Sequence, residues 1–322
     1  MTILHIASIL LLILLTVCVL LFLFTWWTNR RVLAALPAQG RFVEAGGVSF
    51  HVVEQGSGPV LLMIHGLAGQ MRHFTYGVAK ILSRDFRVIV IDRPGSGYSV
   101  RPPTMAADIS SQAAAIAQLI EQLRLGPSLV VGHSLGGAVA LTLALEHPKC
   151  VSGLALLAPL THMPQNNRPP EAFRALMIAS AWLRSAIAWT LLVPASMAQR
   201  DMVLGQVFGP DAVPEDYATR GGGLMNLCPH QFISASRDLQ AISKSLPTIE
   251  ARYEELRIPV QVLFGRDDRI LNWQKNGQAL VDKIPGAKLV QADSGHMLPV
   301  THPALTAAFI AGAAAEMLGQ KV

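Results

Sequence analysis

Apolar and polar positions divide the chain into three regimes. Residues 3–27 carry no charge and are almost wholly apolar. From residue 41 onward, short apolar runs alternate with longer segments whose apolar residues recur at helical spacing. Between about 161 and 247 the alternation stops, and Met, Leu, Trp and several prolines crowd a stretch that includes Gly221-Gly222-Gly223. In the second regime, 41–45 and 48–54 around Gly46-Gly47 read as an opening hairpin. Strands are predicted near 59–64, 86–91, 128–133, 151–158, 259–265 and 287–292. Helices are predicted near 70–83, 109–124, 135–147, 273–284 and 302–318. Such alternation implies an α/β fold with a mostly parallel sheet covered on both faces.

The first regime is about 25 residues, or roughly 37 Å of helix, enough to cross a bilayer with some tilt. Trp26 and Trp27 close it as an aromatic belt would, and Arg30 and Arg31 follow. A cleaved signal peptide fits less well, because no basic residue precedes the core and the core is too long. Residues 1–29 are therefore predicted to be a single-pass membrane anchor, with 30–40, carrying Pro37 and Gly40, as a short linker. Arg30, Arg31 and Arg41 argue that the chain beyond the anchor faces the cytoplasm by the positive-inside rule. Anchored domains with similarly short N-termini can face the other way, and the side stays open.

Candidate chemistry concentrates at Leu129-Val130-Val131-Gly132-His133-Ser134-Leu135-Gly136-Gly137. An apolar strand runs through a glycine-flanked serine into the alanine-rich start of a helix. Glycines are needed on both sides because a Cβ there would meet the strand or the helix; this is the pattern G-x-S-x-G. A serine hydroxyl attacks a carbonyl only if a base takes its proton and a third group orients the base. Downstream, the strand ending at Gly265 is followed by Arg266-Asp267-Asp268, and the strand ending at Ala292 by Asp293-Ser294-Gly295-His296. The order Ser, Asp, His is thus available.

On these residues the chain resembles the α/β-hydrolases over about residues 41–319. His65-Gly66-Leu67-Ala68-Gly69 is similar to the family's oxyanion-hole loop, and Asp92-Arg93-Pro94-Gly95-Ser96-Gly97-Tyr98-Ser99 to its next strand-end turn. The resemblance implies Ser134 as nucleophile and His296 as base. It selects Asp268 over Asp267 as the acid; Asp238 is a more distant alternative. It implies the backbone N–H groups of Leu67 and Leu135 as the oxyanion hole. His65 is expected to support its loop, His133 to be structural and turned from the substrate, and Asp92, Arg93 and Tyr98 to pin their turn. His73, Phe74 and His230 are candidates for the pocket wall. Thr301 departs from a glutamate that many relatives carry as the cap of the last helix, and threonine can cap as well.

Residues 161–247 fall where the family inserts a helical cap, with 41–160 and 248–322 as the core. Most single apolar residues of the cap are expected to pack on that core. Together they would build a pocket for an acyl chain, and the cap is placed to touch the bilayer beside the anchor. The implied activity is hydrolysis of carboxylic esters through an acyl-enzyme, on a lipid-derived or other small apolar ester, without a cofactor. It resembles that of membrane-bound monoacylglycerol lipases and phospholipase A-type enzymes. Two other readings remain open. One is C–C bond or enol-lactone hydrolysis by the same residues, for which Arg168, Arg174, Arg184, Arg200, Arg220 and Arg237 could supply anion-binding groups. The other is a non-catalytic ligand sensor on the same fold. Dehalogenase and epoxide-hydrolase chemistry is disfavoured, since it uses aspartate at the position of Ser134.

Composition narrows the rest. The net charge of +5 comes from basic residues scattered along the chain rather than clustered among aromatics, so no nucleic-acid surface is read. Cys18, Cys150 and Cys228 form no disulfide framework, and no Cys/His spacing matches a metal site.

Overall fold

In the computed structural model, residues 3–163 and 168–317 are described. The chain opens with helix α1 (Ile3–Ala35) and the hairpin β1 (Arg41–Ala45) and β2 (Val48–Gln55). Then come β3 (Val60–Ile64), the short helices α2 (Arg72–Thr75) and α3 (Val78–Leu82), β4 (Arg87–Ile91), α4 (Ile109–Gln122), β5 (Ser128–His133), α5 (Leu135–Glu146) and β6 (Val151–Leu157). The cap follows as α6 (Ala181–Trp189), α7 (Leu192–Ala198), α8 (Arg200–Phe208) and α9 (Pro229–Glu250). The core resumes with β7 (Val260–Gly265), α10 (Ala279–Val281), β8 (Lys288–Ala292), α11 (Leu298–Thr301) and α12 (Pro303–Met317).

Among the described residues, all eight strands join one sheet in the order β1-β2-β4-β3-β5-β6-β7-β8. Only β2 pairs antiparallel, with β1 and β4; the other pairs are parallel. Parallel neighbours need crossover helices, and these cover both faces. The central strands accordingly read as unbroken apolar runs: β5 is buried along its whole length. Edge strand β8 alternates between partly buried and exposed positions. The helix after the elbow, α5, is buried from Leu135 to Ala144, which suits its small residues.

Two expectations need correction. The helix predicted over 70–83 breaks at Gly77, where a Cβ would lie 2.7 Å from Pro303 of α12, so the two short helices bend around that contact. Residues 30–40 are not a free linker. Helix α1 continues to Ala35, and Val32 and Leu36, one turn apart, are buried against Met225 and Cys228 of the cap. Arg72 then donates to Pro37 O at 3.0 Å. Higher on α1, Phe22 lies 5.6 Å from the Trp189 ring and Thr25 donates to Thr190 O. The apolar helix thus docks on the cap before entering the sheet.

Tyr253 fastens the point where the chain leaves the core for the cap. It is fully buried, and its hydroxyl donates to Thr161 O at 2.7 Å. Tyr253→Phe leaves that carbonyl unpaired in the interior and should cost about 1–3 kcal/mol, read as a lower urea midpoint with an unchanged slope.

Candidate active site

Ser134 joins β5 to α5 with φ 54 and ψ −119, a left-handed conformation that costs a non-glycine residue about 1–3 kcal/mol. Close packing enforces it. A Cβ on Gly136 would lie 2.1 Å from Ile64 O, and one on Gly132 would lie 2.6 Å from Gly136 O. Hydrogen bonds fix the corner from both sides: Ser134 N donates to Leu157 O at 3.0 Å, and Ser134 O accepts from Gly137 N and Leu160 N, each at 2.9 Å. The side chain is left at the wall of a large cavity.

His296 borders the same cavity. Its Nδ1 lies 2.7 Å from Asp268 Oδ2, inside a region where both side chains are buried. Asp268 Oδ1 accepts from Ile270 N at 2.8 Å and Leu271 N at 2.9 Å, so the carboxylate is held on both oxygens. With Nδ1–H given to Asp268, the neutral ring keeps Nε2 as its lone-pair nitrogen. Asp267, its neighbour, is exposed. Asp238 lies elsewhere, paired with Arg93 at 2.8 Å and Arg101 at 2.7 Å. The loop carrying His296 is gripped from the cap: Asp211 Oδ2 accepts from Ser294 Oγ at 2.7 Å and Gly295 N at 3.0 Å. Thr301 does not cap the last helix; its hydroxyl donates back to Met297 O at 3.2 Å.

Leu67 lies in the loop after β3, lining the cavity beside Gly66 and Ala68, and Leu135 is the first residue of α5. The first N–H groups of a helix have no intrahelical partner, and the helix dipole adds partial positive charge there. His65 is fully buried and bonds to its own loop: Nδ1 pairs with Gly66 O at 2.9 Å. In the neighbouring turn, Asp92 accepts from Met71 N at 2.7 Å and Tyr98 N at 2.9 Å.

Of the predicted pocket residues, His73 lines the cavity, whereas Phe74 and His230 do not. Phe74 is fully buried in the main core. His230 is drawn to the Asp92 turn, its Nε2 bonding to Gly97 O at 2.9 Å. His133 makes the structural contact expected of it, Nε2 donating to His296 O at 3.0 Å, but it borders the cavity instead of lying away from it. Burial holds His133 and His65 well below the usual histidine range, and pushes His73 down to about 4. The cavity measures about 840 Å³ and is lined largely by apolar cap residues, among them Leu176, Ile187, Leu192 and Phe232.

Comparison with known proteins bears on the fold. The alpha/beta hydrolase fold family model matches residues 59–213. The chain is 25% identical to the "Putative carbamate hydrolase RutD" of Pseudomonas syringae pv. syringae, over 79% of this chain and 93% of that protein. It is 24% identical to the monoacylglycerol lipase ABHD6 of Homo sapiens, over 79% of this chain and 75% of the relative. Its fold is similar to the crystal structure of a membrane phospholipase A described as a bacterial virulence factor. That likeness has a TM-score of 0.68 and 22% identity, covering 96% of this chain and 98% of that one.

The buried His73 gives a stability test. Its pKa is lower in the folded chain than its ordinary value of 6.5, so the unfolded chain binds the extra proton first as pH falls. Stability should therefore drop from pH 6.5 toward pH 4. In His73→Gln that fall should be shallower by about 1.4 kcal/mol per pH unit in mid-window, measured by urea unfolding across pH.

Proposed function

The chain has the α/β-hydrolase fold, and from that premise we propose a membrane-anchored serine hydrolase that cleaves lipid-derived or other apolar carboxylic esters. The carrying observation is the coincidence of a strained Ser134 and an Asp268-held His296 on the wall of one apolar cavity. Ser134 Oγ attacks the ester carbonyl carbon while His296 Nε2 takes its proton. The carbonyl oxygen becomes an oxyanion facing the N–H groups of Leu67 and Leu135. Collapse breaks the C–O bond, and His296 returns the proton to the departing alcohol. Water, deprotonated by the same ring, then cleaves the acyl-enzyme and regenerates Ser134. These steps need only the chain and water.

The apolar substrate class is supported by the cavity and by its surroundings. At about 840 Å³, with mostly apolar walls, it suits an acyl chain. Helix α1 is long and apolar enough to span a bilayer. Beside its docking site the cap exposes Trp182, Leu183, Leu191 and Met197 to solvent, Trp182 by 78%. Leu191 and Met197 also line the cavity, so the rim lies on the apolar side of the cap. Anionic ring-cleavage substrates fit less well. Of the six cap arginines that could have converged on them, Arg200 alone lines the cavity. Arg220 pairs with Asp216, Arg237 donates to Met105 O and Arg184 to Ala179 O.

A fluorophosphonate probe should label the wild type and leave Ser134→Ala unlabelled. Turnover of p-nitrophenyl esters should fall by about 10⁴-fold or more in Ser134→Ala and His296→Ala. With the full chain in detergent, turnover should favour long acyl chains over acetate. Equal labelling of wild type and Ser134→Ala would overturn the nucleophile; an acetate preference would overturn the acyl pocket.

A further inference from the structure

Gly66 O is the acceptor of three hydrogen bonds: from His65 Nδ1 at 2.9 Å, Arg93 Nη2 at 3.0 Å and Gly69 N at 3.3 Å. The histidine tautomer is fixed, because Arg93 N donates to His65 Nε2 at 2.9 Å and leaves the ring proton on Nδ1. Gly66 O shares a planar trans peptide with the N–H of Leu67, so the two groups point in opposite directions. Pinning the carbonyl toward Arg93 turns the N–H to the other side, where Gly66, Leu67 and Ser134 line the cavity. A guanidinium on the carbonyl also polarises the peptide and strengthens its N–H as a donor.

Arg93 is fully buried and spends its remaining donors nearby: Nε on His65 O at 2.9 Å, and Nη1 on Gln112 Oε1 and Asp238 Oδ2, each at 2.8 Å. Asp238 is buried in cap helix α9, its other oxygen accepting from Arg101 Nη1 at 2.7 Å. Neither Arg93 nor Asp238 lines the cavity. A chain of contacts therefore runs from a cap carboxylate, through one guanidinium, to the peptide whose N–H faces the site.

We propose that Arg93 is a positioning residue for the Gly66–Leu67 peptide, and that Asp238, acting through Arg93, ties that peptide's donation to the seating of the cap. The assignment rests on the reading of Leu67 N–H as an oxyanion donor. Its rival is a strut that merely holds cap to core. A strut changes how many molecules are correctly folded; a positioning residue changes the rate of each folded site.

The test counts sites and rates separately. Active sites of the full-length protein are titrated with a fluorophosphonate, and kcat per labelled site is measured for wild type, Arg93→Met, Arg93→Lys, Asp238→Asn and the Arg93→Met/Asp238→Asn double variant. Because one oxyanion donor is worth about 10²–10³ in rate, Arg93→Met should lower kcat per site by about 10- to 100-fold, with KM changed less than about threefold. Affinity for a trifluoromethyl ketone, which forms a tetrahedral oxyanion on the serine, should fall in parallel. Arg93→Lys keeps the charge but cannot bridge both carbonyls, so its loss should be intermediate. Asp238→Asn should lose about five- to 20-fold, and the double variant no more than Arg93→Met alone, as expected for residues acting in series. Wild-type kcat per site and wild-type ketone affinity in Arg93→Met would overturn the proposal and leave the hydrolase reading standing. Additive losses in the double variant would overturn the role of Asp238. A wild type that takes no label would remove both readings together.

Discussion

The structure around the site depends on one steric constraint: Ser134 can hold φ 54 only because its neighbours leave no room for anything else. The carbonyls of Ile64 and His65 approach Gly136 so closely that the tips of β3 and β5 are locked together beneath α5. The strain at one residue is offset by burial along all of β5 and from Leu135 to Ala144 of α5, which no alternative corner would preserve. The sheet order follows the same need. β3 and β5 are adjacent, so the loop bearing Leu67 and the helix start bearing Leu135 flank one serine. β7 and β8 are adjacent on the far side, and their loops deliver Asp268 and His296.

Around that corner, buried polar groups do what apolar packing cannot: they fix direction. Arg93, Arg101 and Asp238 form a buried triad of unequal charge, an arrangement that costs desolvation and is made tolerable by the carbonyls of His65 and Gly66 and by the side chains of Gln112 and Ser234. Asp211 does the corresponding work at the His296 loop. Asp238 reaches the Gly66 carbonyl through the Arg93 guanidinium, whereas Asp211 accepts directly from the backbone of Gly295, in each case across the core–cap seam. The cap is therefore wired into the proposed site at two points, as well as covering it.

Legibility in the sequence followed the range of the forces involved. Every core strand could be read within a residue or so, because a buried parallel strand is a local apolar run with turn residues at its ends. The corner at Ser134 was legible for a similar reason, since its glycines are adjacent to it. The order Ser134, Asp268, His296 could be read as candidates because each follows a strand. What depended on distant partners could not be read. The break at Gly77 is set by Pro303, and Val32 and Leu36 show the end of α1 docked on the cap only once Met225 and Cys228 are beside them. Phe74 and His230 are separated from the cavity by side-chain direction, which spacing does not encode. Asp238 carried a signal of a kind, a lone acid in the middle of α9 within an otherwise buried face, but its partners Arg93 and Arg101 lie more than a hundred residues upstream.

The docking of α1 bears on how the proposed substrate would arrive. Phe22 and Thr25 contact Trp189 and Thr190, at the joint between α6 and α7; Trp26 and Trp27 follow Thr25 directly and lie about one turn beyond Phe22. If α1 spans a bilayer as proposed, Trp26 and Trp27 would belong at the headgroup level, and these contacts would put the joint close to it. The cap's exposed Trp182, Leu183, Leu191 and Met197 are carried by the same two helices or the turn between them. Such a cluster in water would be an aggregation hazard, whereas against acyl chains it is ordinary burial. A cavity whose rim shares Leu191 and Met197 with that surface would then open toward lipid rather than toward water. An apolar ester could reach Ser134 without its chain crossing the aqueous phase, which would otherwise cost about 0.8 kcal/mol for every methylene exposed.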